Sequence, residues 1–310
     1  MITVQQLTKK YSAGRPPAVD AISFEVKDGE TVGFVGLNGA GKTTTIKVAV
    51  GAHLPTSGTV AVDGYDIVND KIKACMAMGW VPEFPNFDQG AKAWSLMRYY
   101  AGFYKGQYNT AARCTEVLKS VGLSGAEGKK LREYSQGMKK RFSLGISLLS
   151  NPHNLVFDEV LNGLDPEGIA YFRQLVLDYK KEGRAILFSS HLLSEIEALA
   201  DKIVFIHKGK ILKVVRRSDI AVASKDSLRI VVDNLDQKAI SFLNTLGQAT
   251  VQNNTVTMYD LKAKPSVVNS ELAKMGYAVS ELIRVSSSLE DYFFRIIGEQ
   301  GAPTPTAGAS

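Results

Sequence analysis

The chain has 310 residues, is 45 % hydrophobic and 22 % charged, and carries a formal net charge of +6, which fits a globular protein of one large and one smaller domain. No apolar run approaches the roughly 18 residues of a bilayer span. The opening MITVQQLTKK has no signal-peptide core, and Cys75 and Cys114 stand in no metal-binding spacing, so a cytoplasmic chain with reduced thiols is expected. Lysines and arginines are scattered, so the positive charge carries little weight and no nucleic-acid partner is expected.

In chain order, residues 2–8 and 21–26 alternate apolar and polar as antiparallel strands do, and a Gly- and Pro-bearing loop, Tyr11–Pro17, separates them. Thr31–Val35 reads as a short buried strand, followed by Gly36-Leu37-Asn38-Gly39-Ala40-Gly41-Lys42-Thr43-Thr44 and a helix over 44–50. This stretch fits G-x-x-x-x-G-K-[ST], with Gly36, Gly41, Lys42 and Thr43 at the fixed positions. Between a strand and a helix, its successive N–H groups (Asn38, Gly39, Ala40 and Gly41 onward) are expected to point at an anion, helped by the helix N-terminus. Lys42 then reaches the terminal phosphates of a nucleotide, and the Thr43 hydroxyl is offered to Mg²⁺.

Gly58–Gly64 is a further short strand. From about Gln89 to Leu149 the pattern turns helical, with helices over 92–104 and 109–121 and a third from near Gln136. Trp94, Tyr99, Tyr100, Phe103 and Tyr104 are expected mostly in the core of that block. Strand and helix then alternate: strand Asn154–Phe157, helix 167–181, strand 185–189, helix 192–200, strand 202–207. This predicts an α/β fold, a parallel sheet with helices on its faces, in which the helical block is an insertion. After Val215 a strand (227–232), a helix (237–246), a hairpin about Asn253-Asn254, a helix (264–275) and a strand (277–285) predict a ferredoxin-like βαββαβ domain. A last helix, Ser288–Ile297, precedes the low-complexity tail GAPTPTAGAS. The expected division is therefore 1–215, with a helical subdomain at 89–149, then an accessory domain at 216–298 and a disordered tail at 299–310.

Three further segments carry chemistry. Leu155-Val156-Phe157-Asp158-Glu159 places two carboxylates at the end of an apolar strand, where a buried parallel strand meets its ligand crevice. Asp158 suits the Mg²⁺ shell and Glu159 the polarisation of a water. Ser189-Ser190-His191 follows the next apolar strand; His191 can bond a phosphate or an attacking water, or the segment can cap the following helix. Ser135-Gln136-Gly137 starts a helix and forms a second anion-binding N-terminus, which suggests a nucleotide held by another copy.

With these residues in place the chain resembles the ATP-binding subunits of ABC transporters over about residues 1–215. GLNGAGKTT corresponds to the Walker A loop, NLVFDE to Walker B, YSQGMKKR to the signature, Leu164-Asp165-Pro166 to the D-loop and His191 to the switch histidine. Tyr11 matches the family's adenine-stacking aromatic, a role its flat ring suits. YSQGM, Val81-Pro82-Glu83 and Ser-Leu-Glu-Asp-Tyr-Phe at 289–294 resemble the drug- and antibiotic-exporter branch, whose membrane subunits are separately encoded. The resemblance implies an ATPase with ATP and Mg²⁺ as cofactors. It also implies a second ATPase subunit, in the simplest case a homodimer with ATP sandwiched between one P-loop and the other chain's Ser135–Gly137. The subunit is then peripheral on the inner face of the cell membrane through its permease, with the Trp80–Gln89 turn against that partner.

Three departures stand out. The signature lacks the usual Leu-Ser-Gly-Gly-Gln but keeps Ser135 and Gly137. Glu83 stands where many members carry a glutamine, and as a carboxylate it can meet Mg²⁺ or water. Val160 and Leu161 replace the usual Pro and Thr after Walker B. Among rival classes, DNA-acting ABC ATPases carry long heptad insertions and ribosome-associated ones carry two P-loops, and this chain has neither; a soluble ABC ATPase with another mechanical or regulatory role is the alternative.

Overall fold

A computed structural model describes residues 1–297 except 13, 105–109, 220–226, 260, 286–288, 291, 294 and 295. The chain forms two compact units, Met1–Arg216 and Arg217–Ser310.

In the first unit, strands β1 (Ile2–Lys9), β2 (Val19–Val26), β4 (Ser57–Val62) and β5 (Tyr65–Asp66) make an antiparallel sheet in the order β2-β1-β4-β5. The central sheet holds β3 (Thr31–Val35), β6 (Met78–Val81), β7 (Asn154–Asp158), β8 (Ala185–Ser189), β9 (Lys202–His207) and β10 (Lys210–Arg216), in the order β10-β9-β3-β8-β7-β6. All neighbours are parallel except β10, which returns antiparallel along β9. Every residue of β3, β7 and β8 is buried, as expected of parallel strands covered on both faces. Phe24 stacks on Phe34 between the two sheets, and Phe157, Phe172 and Phe188 pack helix α6 (Pro166–Lys181) onto the central one. Each such fully buried ring contributes roughly 1.5–3 kcal/mol relative to leaving it exposed.

Parallel pairing has a functional consequence. The C-terminal ends of β3, β6, β7 and β8 all lie at one edge, so the loops after Val35, Val81, Asp158 and Ser189 share that edge. Helix α1 (Lys42–Ala49) follows β3, α2 (Lys71–Met76) precedes β6, and α7 (Leu193–Leu199) follows β8. Strand β6 had no signature in the sequence beyond the turn at Val81–Glu83, because it is only four residues long.

The helical block between β6 and β7 contains α3 (Ala93–Ala101), α4 (Thr110–Ser120) and α5 (Gln136–Ser147), with short 3₁₀ turns at Gly102–Tyr104 and Leu131–Glu133. Its core is built from Met97, Leu118 and Phe142 rather than from the aromatic run. Tyr99 and Phe103 are exposed, packed edge to face on each other, while Trp94, Tyr100 and Tyr104 are half-buried. The expectation that most of these rings fill the core is corrected: helical spacing leaves them beside the inward stripe that the smaller Ala93, Met97 and Ala101 occupy.

The second unit runs β11 (Ser227–Val232), α8 (Gln237–Leu246), β12 (Gln248–Gln252), β13 (Thr255–Tyr259), α9 (Pro265–Lys274), β14 (Val279–Val285). Its sheet order is β12-β13-β11-β14, antiparallel throughout, which is the ferredoxin-like arrangement. Leu228, Ile230, Leu243, Val256, Met258 and Leu272 form its core. Asn253 takes the left-handed conformation in the hairpin turn (φ 55°), which asparagine tolerates. The expected helix over 288–297 lies partly outside the described residues, and the tail over 299–310 wholly so. Among the described residues, no helix is long and apolar enough to cross a membrane.

Candidate nucleotide site

The loop from β3 to α1 is shaped by two glycines. Gly41 is left-handed at φ 111°, and a Cβ there would lie 2.7 Å from the Ala18 carbonyl oxygen. A Cβ on Gly36 would lie 2.4 Å from the Ile206 carbonyl oxygen, so that position needs the close approach only glycine allows. Gly41 caps α1 without a side-chain hydrogen bond, so the first-turn N–H groups have no side-chain acceptor. Lys42, nearly buried, donates from Nζ to the Gly36 carbonyl at 2.7 Å and lies 3.7 Å from Glu159 Oε1.

Asp158 ends β7 and is 1 % exposed. Its Oδ1 accepts from Ser189 Oγ at 2.9 Å, and the Thr43 hydroxyl lies close enough to favour its charged form. Burial pushes its carboxyl above the usual carboxylate range, and the charges of Glu83 and Glu159 push the same way, against the hydrogen bonds from Ser189 and Thr43. Glu159 sits at φ 47°, a conformation unfavourable for a residue with a side chain. Its N–H is shared between the Ser189 carbonyl at 3.2 Å and Ser189 Oγ at 3.1 Å. Its Oε2 accepts from the His191 N–H at 3.0 Å and meets His191 Nδ1 at 3.1 Å. The carboxylate is thus held between a lysine and a histidine.

Lys42, Thr43, Glu159 and His191 face one cleft of about 460 Å³. Asn38, Gly39, Gly41, Lys42, Thr43 and Thr44 line it together with Glu83, Glu159, Asn162 and His191. Gly36, Ala40 and Asp158 lie behind that surface. Tyr11 stands beside it, 60 % exposed, with its hydroxyl 3.3 Å from Thr44 Oγ1 and 3.2 Å from His53 Nδ1. Ser135, Gln136 and Gly137 are not part of the cleft wall. Ser135 caps α5, its Oγ accepting from Met138 N–H at 3.2 Å. Ser190 does not cap α7; its Oγ accepts from Leu192 N–H at 3.0 Å, a local turn.

Sequence reasoning missed four residues of this environment. Ser189 supports both acids, which only the β7/β8 register reveals, since Asp158 pairs with Ser189. Asn162 lines the cleft with a buried Oδ1 that has no hydrogen-bond partner. His53 fixes Tyr11 with an edge-on ring contact at 5.8 Å. Lys140 donates to the Glu83 carbonyl from across the helical block. None of the last three has a local signal at its position.

A phosphate cradle, a paired lysine and glutamate, and a buried aspartate behind a hydroxyl make a site for nucleotide phosphates. The ABC transporter family pattern matches residues 19–162. The chain is 31 % identical to an uncharacterized ABC transporter ATP-binding protein, YdbJ of Bacillus subtilis, over 95 % of this chain and 94 % of that protein. It is also 31 % identical to the bacitracin transport ATP-binding protein BcrA of Enterococcus faecalis, over 97 % of each. Among solved structures, an ATP binding subunit of an ABC transporter superposes with a TM-score of 0.66 at 28 % identity, covering 72 % of this chain and 92 % of that one. The chain therefore belongs to the ATP-binding subunits of ABC transporters. It is an ATPase that binds ATP and serves as the motor of a transport system; a soluble ABC ATPase without a transport role is not favoured.

Proposed function

We propose that two copies of this chain close head to tail on two ATP molecules and thereby drive a separately encoded permease that exports its substrate. The observation carrying this reading is the convergence of Lys42, Glu159 and His191 on the cleft, while Ser135–Gly137 lies outside its wall. A signature that cannot serve its own cleft is available to a neighbour's. Moving an open–closed equilibrium from 1:99 to 99:1 takes about 5.5 kcal/mol of differential binding. Two γ-phosphates, each with several charge-assisted hydrogen bonds, are enough for that.

In this reading Lys42 and the N–H groups from Asn38 to Thr44 hold the phosphates, and Tyr11 stacks on adenine. Glu159 orients the attacking water, and His191 contacts the γ-phosphate. Mg²⁺ fits the site: two acids, Glu83 and Glu159, crowd the buried Asp158, and the Thr43 hydroxyl adjoins it. Mg²⁺ is held by one or two carboxylates with substrate phosphates rather than by an all-protein cage. Thr43 and Asp158 would hold it, with Glu83 within reach through water, and the metal would neutralise charge on the β- and γ-phosphates. Residues 1–215 then form the ATPase domain, with its helical subdomain at 89–149, and 216–298 an accessory domain ahead of the tail. The subunit sits in the cytoplasm, peripheral on the inner membrane face through its permease. Relatives named for bacitracin and lantibiotic transport and for linearmycin resistance support export of an antibiotic-like substrate.

The test is Glu159→Gln. Phosphate release should fall by at least about 100-fold, the scale of a lost general base, while ATP converts the chain to a stable dimer on size exclusion. Normal turnover, or a monomer at saturating ATP, would refute the reading.

A further inference from the structure

His53 has no task in the ATPase reading, yet it is built firmly against Tyr11. Its Nδ1 lies 3.2 Å from the Tyr11 hydroxyl, and the two rings meet edge to face at 5.8 Å. The same hydroxyl lies 3.3 Å from Thr44 Oγ1, and Thr44 lines the cleft. The segment that carries His53 is tied down on both sides. The His53 N–H donates to the Lys47 carbonyl of α1 at 2.9 Å. The residues after it are stitched to the end of β1 and to Lys10. Lys9 Nζ donates to the Leu54 carbonyl at 2.9 Å, Lys10 N–H to Thr56 Oγ1 at 2.9 Å, and Thr56 N–H to the Thr8 carbonyl at 2.8 Å. Tyr11 follows directly on this seam.

A phenol hydroxyl has one proton to give and lone pairs to receive with, so it can serve both neighbours at once. It can donate to Nδ1 of a neutral imidazole and accept from the Thr44 hydroxyl. The imidazole suits that part: burial, and then the charges of Lys47 and Lys9, hold it below the ordinary histidine value and keep it neutral at physiological pH. Lys9 Nζ also lies over the Tyr11 ring, 5.3 Å from its centroid. The opposite face is left for a flat partner. A ring that is 60 % exposed has little packing to orient it, so its hydroxyl contacts set its direction.

We propose that His53 is a positioning residue for the nucleobase: together with Thr44 it anchors the Tyr11 hydroxyl and holds the ring as a fixed stacking platform. The anchor joins base and phosphate recognition, because Thr44 takes part in both. His53 touches no nucleotide and acts through Tyr11. Its loss therefore weakens the binding of a nucleotide and spares the grip on a polyphosphate that has no base. This inference rests on the reading that Tyr11 stacks on adenine.

The experiment is a double-mutant cycle on the full chain: wild type, His53→Phe, Tyr11→Phe and the double variant, with His53→Asn and Tyr11→Ala as controls. Phenylalanine at 53 keeps a ring and loses the acceptor, whereas asparagine keeps an acceptor near the place of Nδ1. Calorimetry measures the binding of ATP and, separately, of inorganic tripolyphosphate, which has no base. Thermal unfolding is followed for each protein. His53→Phe is expected to weaken ATP binding about fivefold, the scale of one hydrogen bond, and tripolyphosphate binding less than about twofold. KM for ATP should rise with the loss of affinity, and kcat should change less than KM. Tyr11→Phe should show the same loss, and the double variant no more than either, as coupled neighbours do. His53→Asn should keep most of the wild-type affinity. Unchanged ATP affinity in His53→Phe, an equal loss for tripolyphosphate, an equal loss in His53→Asn, or losses that add in the double variant would overturn the proposal. If His53→Phe does not fold, the other two decide: a loss in Tyr11→Phe with wild-type affinity in His53→Asn supports the anchor, and any other pair refutes it. Wild-type ATP affinity in Tyr11→Ala would instead sink the stacking reading itself. A loss there with none in His53→Phe sinks the anchor alone, so the two failures are separable.

Discussion

Helices α1 and α5 both start in glycine-bearing turns of the same unit, yet their starts are finished in opposite ways. Gly41 leaves α1 with no side-chain cap, and the loop before it lines the cleft. Ser135 caps α5 by accepting from the Met138 N–H, and it is exposed and outside the cleft wall. In the proposed function the first start, with its backbone donors and Lys42, serves the nucleotide of its own chain. In the proposed function the other serves a nucleotide held by the neighbouring copy. The contrast shows that a shared Gly-and-helix pattern does not define a phosphate grip; the absence of a competing cap does.

Removing the lysine at the open start breaks the comparison most strongly. Lys42→Ala should weaken ATP affinity by about 10- to 100-fold, the worth of a charge-assisted bond, as read by calorimetry; unchanged affinity would contradict the grip. Gly41→Ala tests the backbone half of the same grip. At φ 111°, with the added Cβ 2.7 Å from the Ala18 oxygen, the loop must shift. A strain of about 1–3 kcal/mol should appear as both a lower unfolding temperature and weaker ATP binding. Ser135→Ala sharpens the contrast from the other side. It removes a cap worth about 1 kcal/mol, yet ATP affinity of the dilute chain should not change, while turnover under dimer-forming conditions falls. A loss of affinity in the dilute chain would place Ser135 in its own cleft.

The smallest effect is expected at a cap with no ligand to serve. Asp236 starts α8, accepting from the Ala239 N–H at 2.9 Å and from the Tyr277 hydroxyl at 2.6 Å. The Tyr277 bond, followed by the Ala239 bond, holds its carboxyl below the usual range. A depressed acid stabilises the fold above its unfolded value of about 3.9, and that stabilisation is lost as pH falls through the lower folded value. Asp236→Asn should therefore flatten the acid limb of the second unit's unfolding curve and leave ATP binding untouched.

Local pattern made much of this molecule legible. The P-loop, the Asp158-Glu159 pair and the βαββαβ order of the second unit each follow from contiguous residues, because a cradle, a strand end or a hairpin is built within a few positions of itself. The aromatic run on α3 was misread for a matching reason: helical spacing says that a stripe exists, not that small residues take its inner side.

By itself the sequence determined the ligand, the strand–turn–helix that holds it, and the sheet edge where the acids end. Only the tertiary structure decided which groups complete the site. Ser189 reaches Asp158 across 31 residues, His191 reaches Glu159 across 32, and Lys140 reaches Glu83 across 57. Parallel strands have no tight turn to set their register. Their alignment comes from the packing of helices on both faces, and with it comes every contact between the loops at their ends.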